Sequence, residues 1–98
     1  MKIITTLEEF QKLVKANANV IIKFSAKWCG PCKTIQPFFA GLESQYPDIV
    51  FATCDCDDCP DVSDMCSIQS LPTFVRFKNG KQTESVIGIS KSQISNLL

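Results

Sequence analysis

The residues best placed to do chemistry are two cysteines in the stretch WCGPCK, where Gly30 and Pro31 separate Cys29 from Cys32. They follow an apolar, β-branched run typical of a buried strand and open a segment with helical spacing. A thiol at a helix start lies beside unpaired N–H groups and the positive end of the helix dipole, so it ionises more easily. Because the thiolate is the nucleophile in disulfide exchange, we expect Cys29, at the exposed helix start, to attack. Cys32, one turn later, would resolve the mixed disulfide.

The composition limits the other kinds of function. The 98 residues are expected to form one domain, residues 1–98, and 45% of them are hydrophobic. The ten basic and ten acidic side chains are interspersed, so no basic stripe favours nucleic acid. No apolar run is long enough to span a membrane. The sequence contains no histidine, which excludes Cys/His metal sites and Cys–His catalytic pairs.

The N-terminal stretch MKIITTLEEF predicts the compartment. It carries Glu8 and Glu9 and lacks the apolar core of a secretory signal. We therefore expect no such signal and a reducing compartment, most simply the cytosol. In that compartment the six cysteines do not predict a disulfide framework.

Strands and helices alternate along the chain. Thr6 with Glu9, and Ser90 with Gln93, are capping-box signatures, and Asn79-Gly80 is a strong hairpin signal. The predicted strands are 2–4, 19–26, 48–56, 72–78 and 81–88, and the predicted helices are 7–16, 32–46 with a kink at Pro37, 60–66, and one that begins at Ser90. The order βαβαβαββα predicts an α/β protein whose mixed sheet has helices on both faces.

The motif W-C-G-P-C, followed some forty residues later by LPTF, resembles the thioredoxin family, and the resemblance covers nearly the whole chain. It implies the thioredoxin fold, a central mixed sheet of about five strands flanked by four helices. It also implies a monomer without bound cofactor that reduces disulfides of client proteins, with a thioredoxin reductase as electron donor. Gly-Pro between the cysteines is the reducing version of the motif, whereas isomerases and oxidases of the superfamily usually carry histidine there.

The resemblance also assigns residues around the cysteine pair. Trp28, Gly30 and Pro31 complete the redox motif. Pro72 matches the family's cis-proline beside the pair, and the backbone of Leu71 matches a position that pairs with substrate. Gly88 matches a glycine that lines the docking surface.

Four further cysteines, Cys54, Cys56, Cys59 and Cys66, allow several interpretations. They could form a metal-binding module, which would make this a different class of protein. Cys54 and Cys56 fall on one strand face about 6.7 Å apart, where the fold needs core residues. Cys59 and Cys66 lie about 10 Å apart along a short helix, beyond the roughly 7 Å between Cα atoms that a disulfide tolerates. A resting bridge between them is therefore not expected. The region resembles animal thioredoxins, which also carry extra cysteines here, and this resemblance makes Cys59 and Cys66 candidate regulatory thiols. A non-catalytic scaffold is disfavoured because both motif cysteines are present.

Lys23 departs from the family, which usually has a buried aspartate at this point of the strand, beneath the resolving cysteine. One interpretation is that the lysine reaches water along its aliphatic stem. The other is that it stays partly buried with Asp55 as its partner. A cation below the pair would favour the thiolate, lower the cysteine pKa and make the potential more oxidising. Proton removal from Cys32 would then fall to water or to the bound substrate.

Overall fold

The nine predicted elements are present, in the predicted order, in a computed structural model that describes residues 1–98. The strands are β1 (Lys2–Ile4), β2 (Asn19–Ser25), β3 (Val50–Asp55), β4 (Thr73–Lys78) and β5 (Lys81–Ile87); the helices are α1 (Leu7–Ala16), α2 (Gly30–Glu43), α3 (Pro60–Met65) and α4 (Lys91–Ser95). The sheet order is β1-β3-β2-β4-β5. β3 runs parallel to β1 and β2, while β4 runs antiparallel to β2 and β5. The prediction of a mixed five-stranded sheet with four helices is confirmed.

β2 lies at the centre of the sheet and is buried because helices cover both faces. Its even-numbered apolar residues Val20, Ile22 and Phe24 pack in one core, with residues of α1 and α3. Ile21 faces the second core, which includes residues of α2 and α4 such as Phe39 and Ile94. The period of two along a strand therefore divides one apolar run between two layers. The same alternation turns Lys23 toward α2.

Helix ends and turns follow local rules. The Thr6 hydroxyl accepts a hydrogen bond from the Glu9 amide at 3.1 Å. Ser90 accepts one from the Gln93 amide at 3.4 Å. Asn79 and Gly80 have φ angles of 52° and 81°, the positive values that this two-residue hairpin turn requires. No helix in the structure has the length and apolar character needed to cross a membrane.

The predicted bounds of α2 were wrong at both ends. The helix begins at Gly30, two residues before the predicted start, because Cys29 is the N-cap and Pro31 fits the first turn. It ends at Glu43 rather than at 46. Pro37 lies inside the helix, which continues through it; the kink expected there stays a prediction. β3 is also shorter than predicted, ending at Asp55.

Candidate active site

The segments around the cysteine pair meet at one edge of the sheet. β2 ends at Ser25, which pairs with Asp55, the last residue of β3. Beside them, Phe24 pairs with Thr73, the first residue of β4, and Thr73 pairs with Ile87, the last residue of β5. The loops that follow β2, β3 and β5 and the loop that precedes β4 therefore lie together.

Cys29 and Cys32 form a disulfide whose Cα atoms are 5.3 Å apart. Cys29 is the N-cap of α2, and its sulfur accepts a hydrogen bond from the Cys32 amide at 3.2 Å. This amide is one of the free N–H groups of the first helical turn. The helix start that orients the two sulfurs thus also supplies a donor and a positive dipole end to the Cys29 sulfur, which favours its thiolate once the disulfide is reduced.

The expectation that Cys29 lies at an exposed position was wrong. Its residue surface is only 4% exposed, because it packs with Ala26, Cys32 and Leu71. The exposed neighbour is Trp28, at 71%. The Trp28 indole N–H donates a hydrogen bond of 2.9 Å to the Asp57 carboxylate, which anchors one end of the exposed ring beside the cysteine pair.

Leu71, Pro72 and Gly88 come together next to the disulfide. The Leu71–Pro72 peptide bond is cis, as predicted, and Leu71 packs against the cysteine pair. Gly88, at φ 102°, donates its amide hydrogen to the Pro72 carbonyl at 2.9 Å. Ile87 and Ile89 flank this glycine and are exposed, so an apolar surface continues from the pair onto the end of β5.

Lys23 is buried beneath α2 and is only 3% exposed, so the interpretation that it reaches water was wrong. Its Nζ donates hydrogen bonds to the Cys32 carbonyl at 2.7 Å and to Gln36 Oε1 at 2.6 Å. Asp55 is not its partner, because that carboxylate accepts the amides of Asp57 and Asp58 instead. Burial lowers the pKa of Lys23 from its ordinary value.

The four other thiols lie in the core on the α1/α3 side of the sheet. Cys54, Cys59 and Cys66 are fully buried there, and Cys56 packs against them partly exposed. Burial raises the pKa of Cys66 to about 11, and it raises the pKa values of Cys54, Cys56 and Cys59 above the ordinary thiol value. No group of three or more Cys, Asp or Glu side chains is arranged to hold a metal ion.

The sequence analysis missed two residues of the site. Gln36, which accepts from Lys23, lies four residues after Cys32 and therefore on the same helix face, a spacing that could have identified it. Asp57, which accepts from Trp28, follows β3 by two residues. Because the carboxyl ends of the parallel strands β2 and β3 meet at one edge of the sheet, the position of Asp57 just after β3 could have indicated that it lies near Trp28, which follows β2.

Comparison with known proteins gives one family. The family model described as Thioredoxin matches residues 1–98. The mitochondrial thioredoxin-3 of Saccharomyces cerevisiae is 41% identical over 91 residues, which cover 93% of this chain and 72% of the relative. Thioredoxin of Gallus gallus is 38% identical over 100 residues, covering 100% of this chain and 95% of the relative.

Solved structures agree with the sequence relatives. The thioredoxin of Plasmodium falciparum superposes with a TM-score of 0.96 at 37% identity, covering 99% of this chain and 95% of the other. The oxidised form of mitochondrial thioredoxin 3 from Saccharomyces cerevisiae gives a TM-score of 0.94 at 38% identity, covering 98% of this chain and 91% of the other.

Proposed function

The chain belongs to the thioredoxin family and is a thiol-disulfide oxidoreductase, and from that premise we propose that Cys29 attacks client disulfides and that Cys32 resolves the product. The observation that carries the assignment is the hydrogen bond from the Cys32 amide to the Cys29 sulfur at the start of α2. Of the two sulfurs, that of Cys29 holds the N-cap position, where an anion is best stabilised.

The reaction runs in two exchanges. The Cys29 thiolate attacks one sulfur of a client disulfide, forms a mixed disulfide and displaces the client's other sulfur as a thiolate. Cys32 then loses its proton and attacks Cys29, which re-forms the internal disulfide and releases the client's second thiolate. Two electrons pass from the cysteine pair to the client, and both client thiolates take protons from solvent. No bound cofactor is needed.

The apolar surface around the pair is the proposed docking site for clients. Trp28 forms one side of it, and Leu71, Pro72 and Gly88 form the other, next to the exposed Ile87. Because Cys29 itself is buried, a client chain must bind in direct contact with this surface before its disulfide can reach the Cys29 sulfur. Backbone groups of Leu71 would pair with the client chain, as the family resemblance implies.

The wider setting of the reaction is also a proposal. Residues 1–98 are proposed to act as one domain and as a monomer, as the family resemblance implies. A thioredoxin reductase returns electrons to the Cys29–Cys32 disulfide. The cytosol is the proposed compartment; one relative is mitochondrial, and any compartment with a reductase would meet the chemical requirement.

The remaining thiols have a separate proposed role. Cys59 and Cys66 sit at the two ends of α3, as its N-cap and C-cap residues, and both are buried. Burial raises their pKa values, which opposes the thiolate needed for oxidation. We therefore assign them to packing in the resting protein and to regulation only when α3 opens.

Turnover of insulin disulfides tests the proposed function. Cys29→Ser and Cys32→Ser should each abolish catalytic reduction when a reductase supplies the electrons. Cys56→Ala is the matched control, because it removes a partly exposed thiol outside the pair, and it should retain turnover. Turnover by Cys29→Ser at the level of the control would refute the assignment.

A further inference from the structure

The thiols of Cys54 and Cys59 are neighbours in the core on the α1/α3 side of the sheet, where both are fully buried. Cys54 lies in β3 and pairs with Ile4 of β1. The Cys59 thiol donates to the carbonyl of that same Ile4, with 3.6 Å between sulfur and oxygen. The Cys54 thiol in turn acts as a hydrogen-bond donor to the Cys59 sulfur. A strand and the start of a helix thus bring two sulfurs together.

The turn between the two cysteines holds them in place. The Cys59 amide donates to the Asp55 carbonyl at 2.9 Å. The Asp55 carboxylate accepts the amides of Asp57 and Asp58 at 2.8 and 3.2 Å. These three hydrogen bonds fold the chain back directly after β3, so that Cys59 returns to the strand that carries Cys54.

Other pairings of Cys59 lack this geometry. Cys59 and Cys66 cap opposite ends of α3, about 10 Å apart along its axis, so a bridge between them requires the helix to unwind. Cys56 is only partly buried, and its sulfur lies beside the Ser63 hydroxyl. Cys54 is therefore the partner that Cys59 can reach while α3 keeps its helical form.

We propose that Cys54 and Cys59 are a second redox-active dithiol, which an oxidant of the hydroperoxide class converts to an internal disulfide. The inference rests on the proposed regulatory role of Cys59 and names Cys54, in place of Cys66, as its partner. Cys59 reacts first because it caps α3 and meets solvent when the first turn of that helix opens. Cys54 stays inside β3, between β1 and β2.

The oxidation runs in two steps. The Cys59 sulfur attacks one oxygen of hydrogen peroxide, the O–O bond breaks, and a sulfenic acid and one water form. The Cys54 sulfur then attacks the Cys59 sulfur, the S–O bond breaks, and a second water leaves as the S–S bond forms. The two thiols lose two electrons and two protons, which convert one peroxide to two waters.

The bridge would affect the docking surface through Trp28. The residues enclosed between Cys54 and Cys59 include Asp57, whose carboxylate accepts the Trp28 indole N–H at 2.9 Å. A disulfide draws two sulfurs from contact to a bond of about 2 Å. The turn that carries Asp57 therefore shifts when the bridge forms, and the anchor of the exposed ring beside the active pair shifts with it.

An endoproteinase that cleaves before aspartate identifies the pairing, because the sequence places each of the four free cysteines on a different fragment. These fragments are 48–54, 55–56, 58–60 and 64–98, while Cys29 and Cys32 remain together in 1–47. The protein with its active pair oxidised is treated with hydrogen peroxide, blocked with N-ethylmaleimide in denaturant, digested and analysed by mass spectrometry without reduction. We expect the loss of two of the four free thiols and a product in which 48–54 is joined to 58–60.

Two variants separate this pairing from general oxidation. Cys54→Val and Cys66→Val each remove one buried thiol and keep a small apolar side chain. In the matched control Cys66→Val, the bridge should form and the emission of Trp28, the only tryptophan, should change as in the unsubstituted protein. In Cys54→Val, dimedone should capture Cys59 as a sulfenic acid, and the emission should stay unchanged.

The outcomes distinguish the pairing from the regulatory role on which it rests. Fragment 58–60 joined to 64–98 in the unsubstituted protein would overturn the pairing and leave the regulatory role of Cys59 standing. Unmodified Cys59, with no bridge among the four thiols, would refute that role as well. An equal emission change in Cys54→Val and Cys66→Val would refute the effect of the bridge on Trp28.

Discussion

The buried amine of Lys23 should give the folding stability a specific pH dependence, which can be measured without any assay of activity. The pKa of Lys23 is lowered in the folded protein. Between the folded pKa and the ordinary value near 10.5, the unfolded chain carries a proton on this amine that the folded protein does not. The free energy of unfolding therefore rises with pH in that window and is lowest below the folded pKa.

The change in the free energy of unfolding with pH has an upper limit. One proton of difference between the two states changes the free energy of unfolding by about 1.4 kcal/mol per pH unit. The buried thiols act in the opposite direction, because their pKa values are raised above 9.0 in the fold. Above about pH 9 the unfolded chain loses these protons first, and the thiols then reduce stability as pH rises.

A comparison of two proteins isolates the lysine contribution. Urea unfolding of the oxidised protein and of Lys23→Met, followed by circular dichroism from pH 6 to pH 10, gives the difference in unfolding free energy at each pH. The thiol contributions are common to both proteins and cancel. We expect the stability of Lys23→Met relative to the unsubstituted protein to be greatest at low pH and to decline as pH rises, by up to about 1.4 kcal/mol per unit. A difference that stays constant over the whole range would refute the reasoning.

Two further predictions concern the core on each side of the sheet. Arg76 is 5% exposed, and its guanidinium donates hydrogen bonds to three backbone carbonyls and to Asn19 Oδ1. Arg76→Met should lower the free energy of unfolding by about 2–4 kcal/mol, because losing these charged hydrogen bonds costs more than is regained by no longer burying the charge. Urea unfolding measures this, and an equally stable variant would contradict it. In the reduced native protein at neutral pH, iodoacetamide should modify Cys29 first and leave Cys54, Cys59 and Cys66 unmodified until urea is added. All four thiols are buried, but the N-cap position of Cys29 favours its thiolate, whereas burial raises the pKa values of the other three. Mass spectrometry of the labelled peptides checks this, and rapid labelling of Cys66 would show that α3 opens in the resting state.

Features encoded over a few neighbouring residues could be predicted from the sequence. Thr6 and Ser90 cap their helices, and Asn79-Gly80 forms the hairpin turn, because each depends on contacts within about one turn of chain. The cis bond before Pro72 was predicted only through the family resemblance. The element order and the mixed sheet followed from the alternation of strand and helix patterns.

Features that depend on packing between distant segments were missed. Lys23 donates a hydrogen bond to Gln36, which lies 13 positions later in α2. Whether Lys23 contacts Gln36 or Asp55 depends on how α2 packs against the sheet, which the sequence does not reveal. Asp55 instead closes the turn after β3 through backbone amides. Arg76 gave no signal of burial in the sequence, because an arginine in an exposed strand position would look the same. The burial of Cys29 likewise depends on Leu71, which approaches from a loop 42 residues later along the chain.

The central claim is that Cys29 attacks and Cys32 resolves, and capture of the mixed disulfide tests it most directly. Cys32→Ser and Cys29→Ser are each reduced, incubated with a protein that contains a disulfide, quenched with acid and analysed by mass spectrometry after digestion. We expect Cys32→Ser to accumulate a covalent complex joined through Cys29, and Cys29→Ser to accumulate none. Accumulation of a complex through Cys32 in Cys29→Ser, with none in Cys32→Ser, would contradict the account.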